Sequence, residues 1–108
     1  MRQALIVNPN ATRVTPELAV AVELELAAAG EVDAFLTERP RHGADLAAAA
    51  SHEYDRIYVY GGDGSFNEVV NGIDVDVPVG FLPGGSTSVL TRALGLPRDP
   101  VAAARARA

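Results

Sequence analysis

The 108-residue chain is predicted to fold as an α/β domain, a doubly wound parallel sheet with helices on both faces. Three observations predict it. Short runs of aliphatic, β-branched and aromatic residues alternate four times with helix-patterned segments, and the connections between them are short. Helix starts carry capping residues and prolines, as at Thr15-Pro16 and Asp99-Pro100. Glycine-rich loops follow the third and fourth apolar runs, at Gly61-Gly62-Asp63-Gly64 and Gly84-Gly85.

Gln3 to Val7 read as a first buried strand, and Asn8-Pro9-Asn10-Ala11-Thr12 as the turn that follows it. Thr15 caps a helix with Pro16 in its first turn, and Glu17 sits where the helix dipole favours negative charge. Leu18, Val22 and Leu26 recur every four residues and form its core-facing stripe, and Gly30 ends it. Val32 to Leu36 form a second strand, closed by Thr37. A polar loop, Glu38 to Gly43, leads into an alanine-rich helix over Ala44–Ser51. Arg39 and Arg41 read as solvated, and His42 and His52 as surface or capping residues.

Ile57 to Tyr60 make the third strand, with the hydroxyls of Tyr58 and Tyr60 placed at the sheet margin. Gly61, Gly62 and Gly64 are free to take positive φ and leave the backbone uncovered. Ser65 and Glu68 have the spacing of a capping box, which predicts a helix starting there and ending at Gly72. After the acidic connector Asp74–Pro78 come a fourth strand, Val79–Leu82, and a second permissive loop, Pro83–Ser88. A helix over Val89–Leu94 stops at Gly95-Leu96-Pro97. The last helix, Val101–Ala108, has no terminating signal, so the chain reads as one domain, 1–108, truncated after Ala108.

The composition narrows the function. Hydrophobic content of 48% suits a folded domain, and no apolar run approaches the roughly 20 residues that span a membrane. No signal peptide is apparent, and the absence of cysteine excludes disulfides and fits a reducing cytoplasm. A net charge of −5 argues against a nucleic-acid partner. Any affinity for an anionic nucleotide must therefore come from local donors and a cation.

Strand, bare glycine loop and helix N-terminus together make a phosphate cradle, because unpaired N–H groups converge there and the helix dipole adds positive charge. A carboxylate in such a cradle, Asp63, makes sense if it serves Mg²⁺ or orients a hydroxyl. The chain has no lysine, so a Walker-type loop is excluded, and the dinucleotide fingerprint lacks its third glycine, where Asn67 stands. Asn8, Thr37, Gly61–Asn67 and Gly85–Thr87 all follow strand ends. A parallel sheet gathers them on one edge, where ligands of such sheets bind.

Gly61-Gly62-Asp63-Gly64-Ser65, continued by Asn67-Glu68-Val69-Val70-Asn71-Gly72, resembles the signature of the diacylglycerol kinase catalytic-domain family, which includes bacterial lipid kinases and sphingosine kinases. Asn8-Pro9, Thr37, and the loop leading to Arg92, Leu94, Gly95 and Pro97 add to the resemblance. Ser88 and Val89 depart from it, where the family carries Asn and Asp.

The resemblance implies an ATP-dependent lipid kinase using Mg²⁺, with Asn8, Thr37, Gly61, Gly62, Asp63, Gly64, Ser65, Asn67, Gly85, Ser86 and Thr87 around the nucleotide. It implies a catalytic and metal-binding role for Asp63, and leaves open whether Ser86 or Thr87 contacts phosphate. The lipid pocket and general base of the family belong to a following β-rich domain, so the chain alone is expected to be inactive, and to dimerise through the surface that domain would cover. A cytoplasmic protein with peripheral membrane contact is the expected setting. A soluble-metabolite kinase, related to NAD kinases or phosphofructokinases, and a stand-alone nucleotide-binding module are the alternatives.

Overall fold

The computed structural model describes residues 1–85, 89–95 and 97–107. Its elements, in chain order, are β1 (Arg2–Val7), α1 (Pro16–Leu26), β2 (Glu31–Leu36), α2 (His42–Glu53), β3 (Arg56–Gly61), α3 (Asp63–Gly72), β4 (Val79–Pro83), α4 (Val89–Leu94) and α5 (Pro100–Arg107). A single turn of 3-10 helix, Ala27–Ala29, extends α1. Each predicted strand and helix is present, with ends moved by at most three residues. Among the described residues the strands form one parallel sheet of order β2-β1-β3-β4.

Strand alternation sorts the side chains into two cores. Leu5, Val7, Tyr58, Tyr60 and Leu82 pack on Val22 and Leu26 of α1 and on Ala103 and Ala104 of α5. Ala4, Ile6, Ile57 and Val59 pack on Ala47 and Ala50 of α2 and on Val69 of α3. Helices therefore cover both faces, as the alternation predicted. The small residues of α2 let that helix lie close to α3: a Cβ on Gly72 would stand 2.3 Å from the Ala44 carbonyl oxygen.

Thr15 caps α1 as expected, its Oγ1 accepting from Leu18 N at 3.1 Å. The far end of α1 is tied down from inside the sheet. Fully buried Gln3 donates through Nε2 to the Leu26 carbonyl at 2.9 Å and to the Gly30 carbonyl at 3.3 Å. This contact binds β1 to the end of α1, so the loop leaving the other end of β1 starts from a fixed strand.

The order β2-β1-β3-β4 sends the chain one way from β1 and the other way from β3. The loops that leave β1 and β3 consequently diverge, and a crevice opens between them at the carboxyl edge, where such sheets bind ligands. No helix among the described residues is long and apolar enough to cross a membrane.

Candidate nucleotide site

Backbone hydrogen bonds lock three loops together at the carboxyl edge. Asn8 N donates to the Tyr60 carbonyl at 3.0 Å, Gly84 N to the Gly61 carbonyl at 2.8 Å, and Arg13 N to the Gly84 carbonyl at 2.8 Å. The Tyr60 hydroxyl supports the same rim from below, donating to the Arg13 carbonyl at 3.3 Å. Burial, and then the charge of Asp99, push the Tyr60 pKa above its ordinary value.

Asn8 is a turn residue that also lines the candidate site. Its Oδ1 accepts from Asn10 N at 3.0 Å, and its Nδ2 donates to Ser65 Oγ at 3.1 Å. The amide is thus held from both ends. The Ser65 oxygen is occupied as an acceptor, which leaves the hydroxyl hydrogen free to donate to a ligand. Gly61 makes this packing possible, since a Cβ there would stand 2.7 Å from Ser65 Oγ.

The capping box is a correction. Helix α3 starts at Asp63 with Gly62 as its N-cap, three residues before the Ser65 cap that the Ser65–Glu68 spacing predicted. Phe66 N reaches the Gly62 carbonyl at 3.2 Å, and the Asp63 carboxylate takes the first-turn position that the helix dipole favours. Ser65 is turned toward Asn8, and Glu68 toward another helix altogether: its Oε1 accepts from Gly43 N, in the first turn of α2, at 2.8 Å. Gly72 is the last residue of α3, as expected, without a positive φ, and its missing side chain admits the backbone of α2. Positive φ among the described residues occurs at Gly30, Gly95 and Arg41, not at Gly61, Gly62 or Gly64.

Two adjoining hollows share this edge. One, of about 320 Å³, has an apolar floor of Ile6, Val59 and Val69, and polar walls that include Asn8, Thr37, Ser65 and Glu68. The other, of about 500 Å³, is shallower and borders Asn10, Thr12, Gly62, Asp63, Gly64 and Gly85. Asn8, Asn10, Ser65 and Glu68 line both. Of the residues expected at the site, Asn8, Thr37, Gly62, Asp63, Gly64, Ser65 and Gly85 meet here. Gly61 lies buried beneath. Asn67 is exposed and borders neither hollow. Ser86 and Thr87 lie outside the described residues.

Sequence reasoning missed Asn10, Arg39, Gly43 and Glu68 as wall residues. The signal for Glu68 was its position three residues after Ser65, which puts both on one helix face. Arg39, expected to be solvated, is exposed but paired, with its guanidinium 2.8 Å from Asp45. His42 does not cap α2: its Nδ1 accepts from Glu38 N, in the loop before the helix, at 2.9 Å.

The shallow hollow presents bare backbone. A Cβ on Gly64 would meet no heavy atom within 4 Å, so the first turn of α3 is open to anything that approaches it. Gly85 faces Gly62 across the crevice, and a Cβ on Gly85 would stand 2.8 Å from the Gly62 Cα.

Residues 2–107 match the model of the diacylglycerol kinase catalytic domain. The chain belongs to this family. It is 34% identical to a diacylglycerol kinase of Staphylococcus carnosus over 108 residues, covering 91% of this chain and 34% of that one. A diacylglycerol kinase of Bacillus subtilis is 46% identical over 56 residues, covering 49% of this chain and 18% of that one. The crystal structure of a diacylglycerol kinase from Bacillus anthracis superposes with a TM-score of 0.88 at 28% identity, covering 96% of this chain and 40% of the other. The chain thus spans about a third or less of these two curated relatives and two-fifths of that solved structure. The expected fold and family are both borne out, and membership of the diacylglycerol kinase family favours the lipid-kinase reading over the metabolite-kinase one.

Proposed function

We propose that this domain is the nucleotide-binding part of an ATP-dependent lipid kinase, which transfers the γ-phosphoryl group of ATP to a lipid hydroxyl of the diacylglycerol type. The observation that carries the proposal is the junction of the two hollows at the amino end of α3. The deeper one has the form a nucleoside needs, an apolar floor for a flat base and polar walls for its edge and sugar. The shallower one borders the open backbone of Gly62 and Gly64 at a helix N-terminus, which suits a chain of phosphates.

The residues divide the work accordingly. Thr37 and Asn8 bind on the nucleoside side, with Ile6, Val59 and Val69 beneath the base. Gly62 and Gly64 admit the phosphates to backbone distance, and the Ser65 hydroxyl donates to one of their oxygens. Asp63 borders the phosphate hollow, and no cluster of three acidic or histidine groups that could hold a metal occurs among the described residues. One carboxylate beside phosphate oxygens fits Mg²⁺, which takes one or two protein carboxylates and completes its shell with phosphate and water. Bound by Asp63, Mg²⁺ would neutralise charge on the transferring group.

Placement of the lipid hydroxyl supplies a large share of such a rate, on the order of 7–11 kcal/mol for well-aligned reactants. No pocket for a lipid adjoins Asp63 among the hollows described, so the 108 residues alone bind nucleotide without transferring phosphate. Peripheral contact with a bilayer and self-association in solution are further parts of this reading; exposed Val20, Leu24 and Leu36 are apolar surface available to a second copy.

Titration calorimetry with ADP, with and without Mg²⁺, tests the reading. Saturable 1:1 binding that Mg²⁺ strengthens is expected, and Asp63→Asn should remove the Mg²⁺ dependence while Tm moves little. Absence of ADP binding under both conditions would overturn it.

A further inference from the structure

Helix α2 does not cap itself. Its N-cap is Arg41, which has φ 67° and no side-chain capping bond. His42 N and Ala44 N find turn partners in the carbonyls of Arg39 and Arg41, at 3.2 and 3.1 Å. The N–H between them, that of buried Gly43, goes to Glu68 Oε1 of α3 at 2.8 Å. Gly43 has no room to spare: a Cβ there would stand 3.0 Å from the same carboxylate oxygen.

This bond, at the end nearest the hollow, adds to the close packing of α2 on α3 in joining the two walls of the deeper hollow. On one side stands α3, whose first turn carries Gly64 and Ser65. On the other runs the segment from Thr37 to Gly43, of which Thr37, Glu38, Arg39, Pro40 and Gly43 line the hollow. Thr37 is fixed at its start by donating N–H to the Val7 carbonyl at 2.8 Å. The end of the segment is fixed to α3 by Glu68. Arg41 holds a left-handed conformation that few residues other than glycine adopt readily, so this wall is under local strain and needs an anchor.

We infer that Glu68 is a positioning residue for the nucleotide. Through Gly43 it holds the start of α2, and with it the wall that meets the nucleoside, against the helix end that meets the phosphates. The inference rests on the nucleotide reading above and adds a residue that acts through another. The carboxylate also serves as an N-terminal charge for α2, in trans, where the helix dipole favours it.

The experiment compares Glu68→Gln with Glu68→Ala, reading ADP affinity by calorimetry and the Gly43 amide by hydrogen exchange. Glu68→Gln keeps an acceptor for the Gly43 N–H, and should hold ADP affinity within about threefold of wild type with Gly43 still protected. Glu68→Ala leaves that N–H unpaired. Gly43 exchange should accelerate, the amide resonances of residues 37–43 should shift, and ADP binding should weaken by about tenfold or more. If Glu68→Ala does not fold, Gly43→Ala pushes the same carboxylate away and is read in the same two ways. Wild-type ADP affinity in Glu68→Ala would overturn the inference alone. So would a Glu68→Gln protein that loses affinity while its Gly43 amide stays protected, because Glu68 would then act on the ligand directly. A wild-type protein that binds no ADP would overturn the nucleotide reading itself, and this inference with it.

Discussion

At the carboxyl end of α3 a Cβ on Gly72 would stand 2.3 Å from the Ala44 carbonyl oxygen and 2.6 Å from its Cα. At the amino end of the same helix a Cβ on Gly64 would meet no heavy atom within 4 Å. The interior of the protein accounts for Gly72, because α2 and α3 cannot pack at their present distance around a larger residue. The interior does not account for Gly64. Its φ is not positive, and nothing occupies the space a side chain would take. Glycine within a helix costs roughly 0.5–1 kcal/mol relative to alanine. On the nucleotide reading proposed above, this bare position beside a hollow lined by Asp63 and Ser65 is where phosphates reach the backbone.

That contrast can be broken by experiment. The largest effect belongs to Gly72→Ala. Forcing a methyl group into the α2 backbone should destabilise the fold by about 2–3 kcal/mol, a fall in Tm on the order of 10 °C or more. Thermal denaturation measures it, and the folded fraction should still bind ADP. An unchanged Tm would mean that α2 and α3 have slack between them.

Gly85→Ala lies between the two extremes, since its Cβ falls 2.8 Å from the Gly62 Cα, a contact that only loop movement relieves. It should cost about 1 kcal/mol of stability and weaken ADP binding as well. Asn8→Ala sharpens the site side of the contrast. It removes the turn bond to Asn10 N and frees Ser65, so a loss of about 1 kcal/mol in stability is expected. ADP affinity measured by calorimetry should fall more than Tm suggests, because the serine hydroxyl is no longer aimed.

The smallest effect is that of Tyr60→Phe. Its hydroxyl makes one long hydrogen bond, at 3.3 Å, so below pH 10 the loss should stay within about 0.5–1 kcal/mol. The sign of the alkaline effect follows from its pKa. The folded value is raised above the unfolded one, first by burial. Its stabilisation is therefore complete below the unfolded pKa of about 10 and disappears as pH rises through the folded value. Tyr54, raised by burial and by its hydrogen bond to Asp33, acts in the same window. Denaturant titrations across that range should show a shallower alkaline decline in Tyr60→Phe, and not a flat one.

Much of this was legible in the sequence. Alternation marked each element and Thr15 marked the start of α1, and parallel topology brought Asn8, Thr37, Gly62, Asp63, Gly64, Ser65 and Gly85 to one edge. What the sequence did not reveal were contacts whose partners are distant along the chain. Glu68 satisfies a local capping spacing with Ser65, yet it bonds Gly43, which lies 25 residues away. Tertiary packing decided the matter, because Asn8 claims Ser65 and Gly62 already serves as the cap. Gly72 does end α3, as its place in the sequence suggested, but its contact with Ala44 of a different helix could not be read there. The two arginines of the α2 approach could not be separated by pattern either. Arg39 pairs with Asp45 beside the hollow, while Arg41 carries a strained backbone.

In the proposed function, the open backbone at the start of α3 receives the phosphates of a nucleotide. Gly64→Ala tests it with a single methyl group placed where the protein has nothing. Calorimetric titration with Mg·ADP, paired with a melting curve of the same sample, is the measurement. Tm should hold or rise, by roughly 0.5–1 kcal/mol of added helix stability, while ADP affinity drops about tenfold or more. Undiminished ADP affinity in a protein of equal or higher Tm would contradict the account.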